Sequence, residues 1–217
     1  MSGPGLPFET TTAKDCTDIV QLSEQGDAFF LHDAYSGFHS SITLTDDYIG
    51  NQSTARFANI EEIRGMGGND IIDLTSPDYS LAGMGLYIDG GAGNDVIWGS
   101  DANESISGGN GDDTIFGGMG TDVLTGGAGA DVFEFTRTST NTSVTDFEIS
   151  EGDTLRFYNA GGAVFDSSSV VLTDQGILIT FTDTALGSSH EISIDLASSA
   201  AGFTTTLPEI LGALEIL

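Results

Sequence analysis

Cationic side chains are almost missing from this 217-residue chain, where 5 Lys and Arg stand against 33 Asp and Glu for a formal charge of −28. Nucleic acid and anionic membrane surfaces are therefore excluded as partners, because both are bound through clustered Lys and Arg that displace counterions. Here the only Lys is Lys14, and Arg56, Arg64, Arg137 and Arg156 are scattered. Cysteine occurs once, at Cys16, so no disulfide framework can staple the fold. No apolar run approaches the ~20 residues that a membrane helix needs. The first residues, MSGPGLPFETTT, lack the basic and apolar regions of a secretory signal peptide. Catalytic motifs are missing as well. His190-Glu191 is followed by no second His at metalloprotease spacing, and no G-x-S-x-G elbow is present. Cys16, beside Asp15 and Asp18, has no cation to activate its thiol, and His32, Asp33 and His39 are too few and too scattered to read as a transition-metal site. The expectation is a protein that is not an enzyme.

Glycine, by contrast, is abundant at 30 residues, and it is periodic. Steps of nine from Gly90 give GGAGNDVIW, GSDANESIS, GGNGDDTIF, GGMGTDVLT and GGAGADVFE, five units in one frame ending at Glu134. Leu81 to Asp89 (LAGMGLYID) keeps the frame and its apolar Ile88 but carries Leu86 where the acid belongs. Gly65 to Asp73 (GMGGNDIID) fits again two residues out of register, with Leu74 to Ser80 as an insertion. A flexible linker would need neither the phase nor the acid, and a phosphate-binding loop would need a Lys that no unit has. Fixed periods of this kind mark a repeat fold.

The chemistry follows from the unit. Glycines at positions 1, 2 and 4 (Gly90, Gly91 and Gly93; Gly108, Gly109 and Gly111; Gly117, Gly118 and Gly120; Gly126, Gly127 and Gly129) permit a sharp turn that aims carbonyl oxygens at one point. The last three residues make a short strand whose middle residue points inward. Ile88, Ile97, Ile106, Ile115, Leu124 and Phe133 then stack into an apolar ladder. Position 6 repeats a carboxylate at the turn, as Asp70, Asp95, Glu104, Asp113, Asp122 and Asp131. Calcium takes six to eight hard oxygens, and carboxylates plus carbonyls supply them. With two units per coil, Asp95, Asp113 and Asp131 form one column, and Glu104 and Asp122 the other. All of these glycines and acids are candidate Ca2+ ligands. The fold expected is all-β, a right-handed parallel β-roll.

GGAGNDVIW through GGAGADVFE resembles the repeats-in-toxin, or haemolysin-type calcium-binding, family. Asp146, Phe147, Gly152, Asp153, Leu155 and Phe157 are similar to the flank that follows its roll. The resemblance implies a C-terminal region of a larger secreted or surface protein, exported by a type I secretion apparatus without an N-terminal signal and folded outside the cell on calcium. Glu215-Ile216-Leu217 is similar to the acid-then-apolar ending of such export signals.

Residues 1–64 are expected to form a β cap from strands at 18–22, 28–31, 41–45 and 55–63. Residues 65–134 are the roll. Residues 135–217 form a second cap, with strands in 143–157, 170–183 and 190–196, an end of helix or strand, and the export signal. The 39 % hydrophobic content and 13 Phe suffice for a core, and Phe133, Phe135, Phe147 and Phe157 are read as its C-terminal end. Trp98, at position 9, is read as an exposed contact. The rival reading is a calcium-dependent adhesin or polysaccharide-binding module using Thr136 to Thr145. An enzyme within residues 1–64 is disfavoured because that stretch has no catalytic constellation.

Overall fold

The middle residue of each repeat strand is apolar, and in the computed structural model those residues face one another across two sheets. The structure describes residues 18–30, 42–43, 60–76, 80–136, 138–158, 170–172, 177–183, 188–196 and 214–216. Successive units alternate between the sheets, so each coil contributes one strand to each.

The first sheet runs through β1 (Asp18–Gln21), β4 (Ile60–Arg64), β6 (Gly85–Ala92), β8 (Asn103–Asn110), β10 (Val123–Ala128) and β12 (Thr142–Phe147), all parallel. Beyond β12 it is closed by β16 (Ser188–Leu196), β15 (Ile177–Asp183) and β14 (Val170–Leu172), of which the last two are antiparallel additions. The second sheet is parallel throughout, ordered β3 (Ile42–Thr43), β2 (Ala28–Phe30), β5 (Ile71–Asp73), β7 (Val96–Trp98), β9 (Thr114–Phe116), β11 (Val132–Phe135), β13 (Thr154–Phe157) and β17 (Leu214–Ile216). The protein is thus an all-β parallel roll.

The single ladder of inward residues divides in two. Ile63, Ile88, Ile106, Leu124 and Val144 are in register in the first sheet, and Phe29, Ile72, Ile97, Ile115, Phe133 and Leu155 in the second; none is more than 2 % exposed. Burying each such side chain contributes about 1.5–3 kcal/mol, so the ladder is the core. Phe147 tilts against Phe133 at 6.3 Å and Phe157 stacks on Phe135 at 5.0 Å, which carries the apolar core past the last repeat unit.

The strands expected C-terminal to the roll take definite places. The stretch 143–157 is two strands in opposite sheets, because a turn over 148–153 carries the chain across. The stretch 170–183 is likewise two strands, a hairpin. Of the two alternatives for the C-terminal end, Leu214–Ile216 takes the strand, its backbone pairing with Leu155, Arg156 and Phe157. Cys16, His32, Asp33 and His39 lie outside the described residues.

Candidate metal centre

Each turn of the roll ends on its position-6 acid, and the acids stack. Through Oδ1 each accepts the backbone N–H of the acid one coil earlier: Asp70 to Asp95 at 2.7 Å, Asp95 to Asp113 at 2.8 Å and Asp113 to Asp131 at 2.9 Å. The step is 18 residues for the last two and 25 for the first, which absorbs the seven-residue insertion. On the opposite edge the Glu104 N–H donates to Asp122 Oδ1 at 3.1 Å, again 18 residues away. Glu104 also accepts from the Ser100 amide and hydroxyl, because its longer side chain reaches back into its own turn. Leu86, at the acid position of the degenerate unit, is buried in the core instead and ends this second column.

What remains is the other oxygen of each acid. Asp70, Asp95, Asp113, Asp122 and Asp131 each leave Oδ2, and Glu104 leaves Oε2, fully buried and without a hydrogen-bond partner. A buried carboxylate oxygen without a partner costs the desolvation of a charge, so six of them are a standing demand for cations or protons. Burial accordingly raises the carboxyl pKa of Asp70 and of Asp131 to about 6 and that of Asp113 to about 7. It also pushes Asp95, Asp122 and Glu104 upward, the last with help from the Asp122 charge.

The glycines make room for these oxygens. A Cβ on Gly90 or on Gly117 would lie 2.6 Å from Oδ2 of Asp95 or of Asp122. Gly109 and Gly111 take φ of 113° and 131°, and a Cβ on either would strike the carbonyl oxygen of Gly91 or of Gly93 one coil before. Carbonyls and carboxylates thus crowd the same turns. Among the described residues no point gathers three or more His, Cys, Asp or Glu side chains, so an ion here would draw on few carboxylates and on backbone carbonyls. Oxygen-only donors in a flexible turn suit Ca2+ and give nothing to a metal that prefers nitrogen or sulfur. The donor set fits calcium.

Several hydrogen-bond partners lie outside the position-6 pattern. Asp153 Oδ1 accepts the Asp131 N–H at 3.0 Å and its Oδ2 accepts the Glu148 N–H at 2.7 Å, so Asp153 closes the column with both oxygens engaged. At the other end the Asp27 N–H donates to Asp70 Oδ1. A second ladder runs the opposite way at position 5: the Asn94 N–H donates to Asn69 Oδ1, Asp112 to Asn94, Ala130 to Asp112, and Thr121 to Asn103. The recurrence of Asn or Asp before the acid was its sequence signal. Asp146 caps the glycine pair Gly126 and Gly127 by accepting both amides.

The profile of the RTX calcium-binding nonapeptide repeat matches residues 87–115 and 98–133. No curated protein matches the chain. Among solved structures it is similar to the AlgE6R3 subunit from the Azotobacter vinelandii mannuronan C5-epimerase, at 22 % identity over 64 % of this chain and 85 % of that one, with a TM-score of 0.25.

Proposed function

We propose, from the premise that residues 87–133 are RTX calcium-binding nonapeptide repeats, that this chain is a module whose roll becomes stable when calcium loads its two acid columns. The observation that carries the reading is the set of six buried, partnerless carboxylate oxygens in register along the turns. Asp70, Asp95, Asp113 and Asp131 would hold ions along one edge, and Glu104 with Asp122 along the other, the glycine-rich backbone at Gly90, Gly91, Gly93, Gly108, Gly109, Gly111, Gly117, Gly118, Gly120, Gly126, Gly127 and Gly129 lending carbonyls. A bound divalent cation supplies the positive charge that lets neighbouring carboxylates ionise side by side. Residues 1–64 and 135–217 serve the roll of residues 65–134 as caps, with Phe147 and Phe157 shielding Phe133 and Phe135. We assign the module no catalysis.

The setting that best suits such a module is a secreted or surface protein exported by a type I apparatus. Low cytosolic calcium would leave the acids repelling one another and the chain unfolded. At a hundredfold excess over Kd, each site adds about 2.7 kcal/mol to folding, and a few sites together match the whole stability of a typical domain. Far-UV circular dichroism of the full chain in chelator, then in calcium, should pass from coil to β, while sodium at equal ionic strength does little. A β spectrum unchanged by chelator would refute the coupling.

A further inference from the structure

The outer face of the second sheet differs from the rest of this acidic chain. Its first rank of outward residues, Ile71, Val96, Thr114, Val132 and Thr154, is in register across five strands and carries no charge. The second rank runs Asp73, Trp98, Phe116, Glu134 and Arg156, also in register, with Asp73 itself buried at the edge. Its charges are already engaged. Asp73 accepts the Thr75 amide and hydroxyl, and Glu134 Oε1 accepts from Arg156 at 2.9 Å and from the Tyr158 hydroxyl at 2.8 Å. Between them Trp98 and Phe116, on adjacent strands, are only half-buried.

We propose that this face binds an extended, uncharged oligosaccharide, with Trp98 and Phe116 as the stacking platform and Glu134, Arg156 and Tyr158 as the polar rim. Three observations select that occupant. With Asp73 buried and Glu134 paired with Arg156, the exposed face carries little net charge on a chain of −28, so a polyanion is repelled by the molecule and a polycation finds no free carboxylate on the two ranks. Five strands about 4.8 Å apart and three residues long give a strip of roughly 20 by 10 Å, far below the roughly 800 Å² per partner of a stable protein interface, yet long enough for several sugar units. Adjacent strands also set the two aromatic side chains about 4.8 Å apart, close to one sugar unit of an extended chain. Aromatic rings beside fixed hydrogen-bonding groups suit a ligand with an apolar face and a hydroxyl edge.

The proposal rests on the calcium-stabilised roll, which alone brings the five strands together, and the two can fail separately. Trp98 is the only tryptophan, so its emission reports this face directly. The full chain in saturating calcium is titrated with cellohexaose, with chitohexaose, with a hexauronate and with hexalysine, read by Trp98 fluorescence and by calorimetry; circular dichroism against calcium monitors folding independently. A saturable response to either neutral hexasaccharide is expected, weakened about tenfold or more by Phe116→Leu and by Trp98→Leu, the latter read by calorimetry. Both variants keep an apolar outward side chain, and their calcium midpoints for folding should match that of the parent. The proposal is overturned if neither neutral hexasaccharide binds the folded chain, if both leucine variants bind as tightly as the parent, or if only the hexauronate or hexalysine binds. If calcium proves irrelevant to folding, the same titration of the already folded chain decides the saccharide question alone.

Discussion

Asp113 shows how one carboxylate serves two opposed purposes. Its Oδ1 holds the Asp95 amide and its Oδ2 faces the interior unpaired, so Asp113→Asn keeps the amide acceptor and removes only the charge. Two effects of opposite sign follow. In calcium the variant should bind more weakly, because a neutral amide is a poorer ligand; without calcium at pH 8 it should retain more structure than the parent, because a buried charge has gone. Asp131→Asn should weaken calcium binding less: the coil beyond it ends on Asp153, whose oxygens are both taken by amides. Asp112→Asn should be nearly silent, since its Oδ1 still accepts the Ala130 amide, whereas Asp112→Ala should cost about 1 kcal/mol. Calorimetric stoichiometry and the folding midpoint of the four variants give the order, and Asp112→Asn proving as damaging as Asp113→Asn would contradict it.

At the level of strands and turns, the period carried most of the information. Nine-residue spacing with one inward apolar position fixed the strands and the alternation between sheets, and 18-residue stacking of Asp95, Asp113 and Asp131 could be read directly. What could not be read lies off that period. Asp153 stands 22 residues from Asp131 and Asp27 stands 43 from Asp70, so no repeat frame connects them; only the folded flanks do. The opposed ladder at position 5 left a weaker signal, because its acceptors Asn69, Asn94, Asn103 and Asp112 recur there but Thr121 and Ala130 interrupt them. The same flanks bear on the proposed C-terminal cap. Val144 and Leu155 extend the two inward ladders, and Asp153 satisfies the last column amide. Deleting residues 143–217 should therefore raise the calcium needed for folding or abolish its cooperativity. A truncated chain that titrates like the whole would show the cap to be dispensable.

For the whole molecule, acid and calcium act as alternative ways to quiet the same charges. Folding raises the pKa of Asp70 and Asp131 to about 6 and of Asp113 to about 7, from unfolded values of about 4. The folded state therefore binds more protons than the unfolded state between those limits, and stability in the absence of calcium falls as pH rises. Calcium-free protein should hold its β spectrum best near pH 4 and lose it as pH passes through about 6 to 7; saturating calcium should remove that loss. A calcium-free chain that gains structure over the same range would reverse the argument. The stacked coils also determine how the molecule would yield to force. All the repeat strands are parallel and each coil pairs only with its neighbours, so tension on the two chain ends loads the terminal coil and leaves those behind it at rest. The roll should peel in succession, each coil of 18 residues releasing about 60 Å of chain, and every ion lodged between coils would act as a separate latch. Pulled singly, the protein would behave as a ratcheted tether whose strength at each notch is set by the calcium around it.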